Sequence, residues 1–360
     1  MVRIAELEID VSRATGLGEP LHTAVTVACP DVVPAHPLVC FAFPGAGYGR
    51  GYFSFDMPDS SGGGQAGHHA AGGWIVVACD HLGVGDSSTP ANPAQLTLDV
   101  LAAANAATVE TVSTRLQEGR LLRDLPPLAS PTRIGIGQSM GGAILIVHQG
   151  RHATFDAIAV LGFSAYHTVI PRPPGMPAHP GRLIPRGALA TTVIPPRVGA
   201  ADPAVSYRSP DGRLPPHTWA FHHEETPLDV VTADLVDYPT RGGVLPPWAS
   251  ATVPPAAFSV TSPGVVSLEA SVIECPVLLA TGERDTVPQP RMEPLYYESA
   301  RDVTVSITPR MAHMHNFAPT RELLWSRLET WGAGVALLRG SAASSQRAAP
   351  TVNTRGRTPD

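Results

Sequence analysis

Lysine is absent from the 360 residues, so all 25 basic positions are arginine, and against 31 acidic residues the formal net charge is −6. With a pI near 6.1 and no clustered basic stretch, the chain offers no footprint for nucleic acid. Missing lysine beside abundant Ala, Gly, Pro and Arg reads as coding bias rather than function. Cysteine is scarce: Cys29, Cys40, Cys79 and Cys275 lie in or beside apolar strand-like runs and form no C-x-x-C pair, so they read as buried thiols. No apolar run approaches about 18 residues, the length a membrane span needs. Met1 to Asp10 carries acidic charges and no apolar leader core, and a cytoplasmic, non-membrane protein is expected.

What is present is a large apolar fraction, 43%, enough for one α/β domain with an insertion or for two domains. The chain is organised around Arg133 to Gln149. There a short apolar run, Ile134 to Ile136, stops at Gly137-Gln138-Ser139-Met140-Gly141, and a proline-free helical repeat follows at once. That pattern predicts a strand, a sharp turn and a helix. The two flanking glycines leave room for the close strand-helix crossing, and the Ser139 hydroxyl is expected to stand exposed at a helix N-terminus.

On either side of this stretch, strands and helices alternate. Ala5–Asp10 and Leu21–Ala28 alternate apolar and polar residues as an antiparallel hairpin does, with Gly16 and Gly18 between them. Pro37–Phe43, Trp74–Cys79 and Phe155–Leu161 are continuous apolar runs typical of strands covered on both faces. Gln65–Gly73 and Leu96–Leu122 carry helical patterns. A mostly parallel sheet is predicted. The loop Pro44-Gly45-Ala46-Gly47-Tyr48-Gly49 is expected to aim a backbone N–H into a cavity, from Ala46 or alternatively Gly47, and with the Met140 N–H it would form an oxyanion hole. Asp80 and Asp86, in a Gly- and Asp-rich loop, are read as structural.

Between about Ala165 and Pro263 the rhythm breaks, and about half of the 38 prolines fall there. This predicts an inserted cap. The expected division is 1–164 and 265–340 for the core, 165–264 for the cap and 341–360 for a disordered tail. The cap holds Tyr166, Tyr207, Trp219, Phe221, Tyr238 and Trp248. Together with Tyr48 of the core loop, Tyr166, Trp219, Phe221 and Trp248 are the substrate-binding candidates, although the rings of a cap also build its own small core. His217, His222, His223, Glu224 and Glu225 lack the i, i+4 spacing of a helical metal site and are read as a surface cluster; no metal and no cofactor are expected.

The sheet resumes at Cys275–Ala280. Asp285 then lies a few residues past a strand end, where a carboxylate can accept a hydrogen bond from a histidine, with Glu283 its nearest rival. The strand Val303–Ile307 leads to Met311-Ala312-His313-Met314-His315-Asn316-Phe317. His313 is the preferred base and His315 the alternative. A closing helix is expected from Thr320 to Leu338.

Ser139 in Gly137-Gln138-Ser139-Met140-Gly141, Asp285 after the next-to-last strand and His313 after the last resemble the α/β-hydrolase superfamily, over essentially the whole chain apart from the tail. The resemblance implies a serine hydrolase with a Ser-His-Asp triad, acting on a carboxylic ester or lactone through an acyl-serine. The proline-rich aromatic cap and the absence of an Arg cluster at any obvious mouth suggest a bulky, largely neutral small molecule as the partner. More narrowly, Gly45–Phe53, Asp80–Ser87 and Met311–Phe317 are similar to actinobacterial lactone hydrolases, including a type that opens the macrocyclic lactone zearalenone. Other zearalenone hydrolases place a glutamate after the strand that follows the serine helix; here that region reads Gly162-Phe163-Ser164, so Asp285 must serve. Ser139–Ala143 also resembles the elbow of meta-cleavage-product hydrolases, which cut carbon-carbon bonds. Two more readings stay open: a cofactor-free perhydrolase and, outside the enzymes, a ligand-binding receptor on a hydrolase scaffold. Oligomeric state is not readable from the residues.

Overall fold

The computed structural model describes residues 2–176, 186, 218–235, 238 and 244–348, and the side chains of these up to 341. Tyr207 and His217 lie outside the described residues. An eight-stranded sheet runs through the molecule in the order β1-β2-β4-β3-β5-β6-β7-β8. β1 (Val2–Asp10) and β2 (His22–Pro30) form the expected hairpin, paired from Val2↔Pro30 to Asp10↔His22 across the short helix α1 (Ser12–Thr15). Gly16, with φ 66°, lets the chain turn out of that helix.

From there the chain alternates. β3 (Leu38–Phe43), α2 (Gly64–Ala71), β4 (Ile75–Cys79), α3 (Leu98–Gln117), β5 (Thr132–Gln138), α4 (Met140–His152) and β6 (Ala157–Leu161) follow in order. After them come α5 (Thr218–Phe221), α6 (Leu228–Leu235), α7 (Ser267–Ser271), β7 (Val277–Arg284), β8 (Val303–Ala312) and α8 (Arg321–Ala348). β4, β3, β5, β6, β7 and β8 pair in parallel, while β2 meets β4 antiparallel.

The continuous apolar runs are explained by burial on both faces. Along β3, Val39, Phe41 and Phe43 point into a core shared with α3 and α4, whereas Leu38, Cys40 and Ala42 point into a second core shared with α2 and α8. Neither layer could tolerate a polar side chain without a partner, and none of the six residues of β3 brings one.

Two ends differ from expectation. α8 runs to Ala348 instead of stopping at Leu338: the Ala- and Ser-rich stretch after Gly340 holds no breaker, and a helix already nucleated by packed turns propagates through it. The first part of the expected tail, 341–348, is therefore helical, and 349–360 lie outside the described residues. β8 also runs on to Ala312 with an irregularity opposite Gly282/Arg284, which carries the histidine segment up beside β7.

The order of the strands fixes where a site can form. From β3 the chain goes to β4 on one side and then returns to β5 on the other, so the loops leaving β3 and β5 diverge and open a crevice at the C-terminal sheet edge. Those loops are Pro44–Gly49 and the Ser139 turn. No helix among the described residues is long and apolar enough to cross a membrane.

Candidate active site

Ser139 joins β5 to α4 with φ 53° and ψ −119°, a backbone conformation that a side chain rarely adopts. Packing holds it there. A Cβ at Gly137 would stand 2.4 Å from the Gly141 carbonyl oxygen, and one at Gly141 would stand 2.2 Å from that of Phe43, so only glycine permits the crossing. Ser139 stays partly exposed between the buried Gln138 and Met140.

The Ser139 Oγ lies 2.9 Å from His313 Nε2, and His313 Nδ1 lies 2.6 Å from Asp285 Oδ1. His313 is anchored by its backbone: its N–H donates to the Ala220 carbonyl at 3.0 Å, and its own carbonyl accepts from Gln138 Nε2 at 3.0 Å. Asp285 is fully enclosed and accepts at both oxygens. Oδ1 takes the Thr286 N–H at 2.7 Å as well as His313; Oδ2 takes the Gly282 N–H at 2.9 Å and His315 Nε2 at 2.6 Å. Burial opposes the charge on this carboxyl, yet the two imidazoles and their hydrogen bonds outweigh it and hold Asp285 well below the usual carboxylate range.

The tautomers follow. An ionised carboxylate only accepts, so His313 Nδ1 and His315 Nε2 must be the donors. Neutral His313 then presents a bare Nε2 to the Ser139 hydroxyl. His315 spends its Nε2 on Asp285 and makes no hydrogen bond to Ser139, and its buried Nδ1 has no hydrogen-bond partner among the described residues.

Gly162 explains the missing acid after β6. With φ 59°, it sits against the His313–Asp285 pair, and a Cβ there would be 3.0 Å from Asp285 Oδ1 and 3.1 Å from His313 Nδ1. Glu283 is half exposed, 3.9 Å from His223, and takes no part in this group.

The loop after β3 approaches from the other side. A Cβ at Gly45 would be 3.1 Å from that of Ser139, which brings the adjoining Ala46 alongside the turn. Among the described residues, the Ala46 and Met140 N–H groups make no hydrogen bond, while the Gly47 carbonyl accepts from the Ser250 N–H at 3.0 Å. Asp80 is buried beneath this loop, accepting from the Arg50 N–H at 2.5 Å and the Asp86 N–H at 3.0 Å and ion-paired with the Arg50 guanidinium, as a structural loop centre does.

The aromatic candidates divide. The Phe221 ring lies 5.4 Å from the His313 ring. Tyr48 and Trp248 are buried, and their polar ends donate to Asp234, at 2.8 and 2.9 Å. Trp219 carries the Arg284 guanidinium 4.2 Å above its ring, and Tyr166 is about half exposed and stacked on Tyr296 at 5.1 Å. The reading of His222 as a surface residue is corrected: it is 4% exposed and bonded to Asp234 at 2.8 Å, while Glu224 and Glu225 of the same run face solvent. Consecutive residues leaving a short helix diverge, and a sequence cluster need not be a spatial one.

His68, His69 and Glu329 bring one ligand atom each within 4.8 Å of one another. His69 stacks on Trp74, immediately before β4, so this group lies at the opposite sheet edge from Ser139. His69 Nδ1 already bonds Glu329 at 3.2 Å. Two concavities of about 300 Å³ are lined around Leu96–Asp99 and around Asn92–Val100, and neither includes Ser139, Asp285 or His313.

No family model matches the chain, and no curated protein matches it. Solved structures do. The chain is similar to proline iminopeptidase from Mycobacterium smegmatis at TM-score 0.57 and 16% identity, over 93% of this chain and 100% of that one. A thermophilic esterase from Thermogutta terrifontis aligns at TM-score 0.56 and 12% identity, covering 92% and 99%. A 2-hydroxy-6-oxo-6-phenylhexa-2,4-dienoate hydrolase from Rhodococcus sp. strain RHA1 aligns at 0.54 and 18%, again covering 92% and 99%. At these identities the likeness establishes the fold: the chain has the α/β-hydrolase fold.

Proposed function

We propose that the chain is a serine hydrolase that cleaves a carboxylic ester or lactone through an acyl-serine. The observation that carries this reading is the continuous line from Ser139 Oγ through His313 to Asp285, with contacts of 2.9 and 2.6 Å. In it, His313 Nε2 takes the hydroxyl proton as Ser139 attacks the carbonyl carbon, and returns it to the leaving alkoxide. Asp285 holds the His313 tautomer and stabilises the imidazolium. The unengaged N–H groups of Ala46 and Met140, the second at the N-terminus of α4, are the donors for the tetrahedral oxyanion. Each such donor is worth about 3 kcal/mol in the transition state. Water, activated by the same His313, then releases the acid.

The substrate class follows from the surroundings. Phe221 beside His313, in a cap rich in proline and aromatic residues, favours a bulky, largely neutral acyl or lactone group. Four cysteines without a disulfide among them suit a reducing, cytoplasmic setting. The test is a panel of p-nitrophenyl esters, simple lactones and the macrocyclic lactone zearalenone, scored by product mass. The reading expects release of the acid or ring-opened hydroxy acid from at least one ester or lactone class. No turnover of any member, by protein whose melting is cooperative, would count against it.

A further inference from the structure

The loop that carries Ala46 does not hold its own shape. It contains Gly45, Gly47 and Gly49 in six residues and closes one bond on itself, from Tyr48 N–H to the Gly45 carbonyl at 3.2 Å. Such a segment has many accessible conformations unless something outside it selects one. The cap does so at several points. Tyr238 Oη donates to the Ala46 carbonyl at 3.1 Å, Ser250 N–H to the Gly47 carbonyl at 3.0 Å, and Gly49 N–H to the Trp248 carbonyl at 3.0 Å. Tyr48 pairs with Ala249 as an isolated antiparallel bridge.

Two of these residues, Tyr48 and Trp248, also reach Asp234 in α6, a carboxylate with no exposed surface. Its Oδ2 accepts from Tyr48 Oη at 2.8 Å and from His222 Nε2 at 2.8 Å, and its Oδ1 accepts from Trp248 Nε1 at 2.9 Å. Three segments therefore meet on one residue: the loop after β3, the 246–250 stretch, and the turn after α5, whose Ala220 carbonyl holds the His313 N–H. Burying a carboxylate is costly, and an apolar residue would fill the same space at lower cost. What the carboxylate adds is directionality.

We propose that Asp234 is a positioning residue for the oxyanion hole: it draws Tyr48 into the cap and thereby fixes the direction of the Ala46 N–H. This rests on the serine-hydrolase reading. The cap then belongs to the catalytic apparatus, and its packing tunes the rate of acyl transfer as well as access. Because Asp234 touches no reacting atom, its loss acts on the transition state and leaves ground-state binding nearly unchanged.

The experiment is steady-state hydrolysis of p-nitrophenyl butyrate by the full-length protein and by Asp234→Asn, Tyr48→Phe, the double variant and His222→Asn, with Ser139→Ala in the same series. Asp234→Asn and Tyr48→Phe are each expected to lower kcat about ten- to a hundredfold with KM within about twofold, since misplacing a donor by about 1 Å costs that order. The double variant should be no slower than the slower single, because both break one link. His222→Asn removes a second donor from the same Asp234 Oδ2 that holds Tyr48; it should lower Tm and lower kcat no further than Asp234→Asn does. Unchanged kcat in Tyr48→Phe, which deletes only a hydroxyl, or multiplicative losses in the double variant would overturn the proposal even if Asp234→Asn failed to fold. Turnover retained by Ser139→Ala would overturn the hydrolase reading itself, a result separable from either.

Discussion

Two histidines contact the same carboxylate, and replacing each in turn separates their roles by magnitude. His313 is the only one of the pair bonded to Ser139. Without it the hydroxyl has no proton acceptor, and loss of a triad base typically costs about 10⁴-fold or more. His315 donates to Asp285 Oδ2 at 2.6 Å and leaves three other donors on that carboxylate. A hydrogen bond to a charged acceptor is worth about 1.5–3 kcal/mol. Even if all of that were lost from the transition state, at about 1.4 kcal/mol per decade the rate would fall by no more than about a hundredfold. His315→Ala should therefore keep at least about a hundred times the activity of His313→Ala, while its Tm drops because a buried carboxylate has lost a partner and a cavity is left. The assay is p-nitrophenyl ester hydrolysis beside thermal unfolding by circular dichroism. If His315→Ala were folded and as inactive as His313→Ala, the base would be assigned to the wrong residue.

Gly162→Ala should reduce both stability and kcat, because the residue keeps φ 59° and its methyl would press on Asp285 and His313 at 3.0 and 3.1 Å; the strain alone is about 1–2 kcal/mol. A Tm and kcat equal to wild type would show that the pair has more room than these distances allow. Acid should destabilise the protein in two stages. Burial lowers His81 to about 4 and His148 to about 3, so both are neutral in the folded state and their contribution, fully present above about 6.5, is lost as pH falls from there. Asp285, depressed in the folded state, adds a second loss that begins below about 4. A Tm constant between pH 7 and 5 would contradict the first stage, and His148→Gln should make it shallower while leaving the His81 share.

Much of this architecture is legible in the residues alone, wherever the cause is local. The Ser139 turn can be read because glycine at 137 and 141 is demanded by contacts within a few residues, and the buried strands because both faces need apolar side chains. Asp285 can be placed past a strand end for the same reason. The choice between His313 and His315 cannot be settled that way, since two residues in one turn carry no information about which reaches a hydroxyl 174 positions earlier. Aromatic character at Tyr48 and Trp248 signals a need for apolar surroundings, which a ligand or a core supplies equally well; that their polar ends meet on Asp234 depends on a contact 186 residues long. Adjacency of His222 to Glu224 and Glu225 suggests a shared exposure, and the divergence of side chains leaving α5 removes it. At the end of α8, low apolar content argues for an early stop, but the absence of a breaker decides the outcome.

The most direct test of the central claim is intact-mass analysis of the protein after a fluorophosphonate probe, followed by peptide mapping. The account predicts a single phosphonyl adduct on Ser139, absent from Ser139→Ala and slowed severely in His313→Ala. An adduct on another residue, or labelling of Ser139→Ala at the wild-type rate, would contradict it.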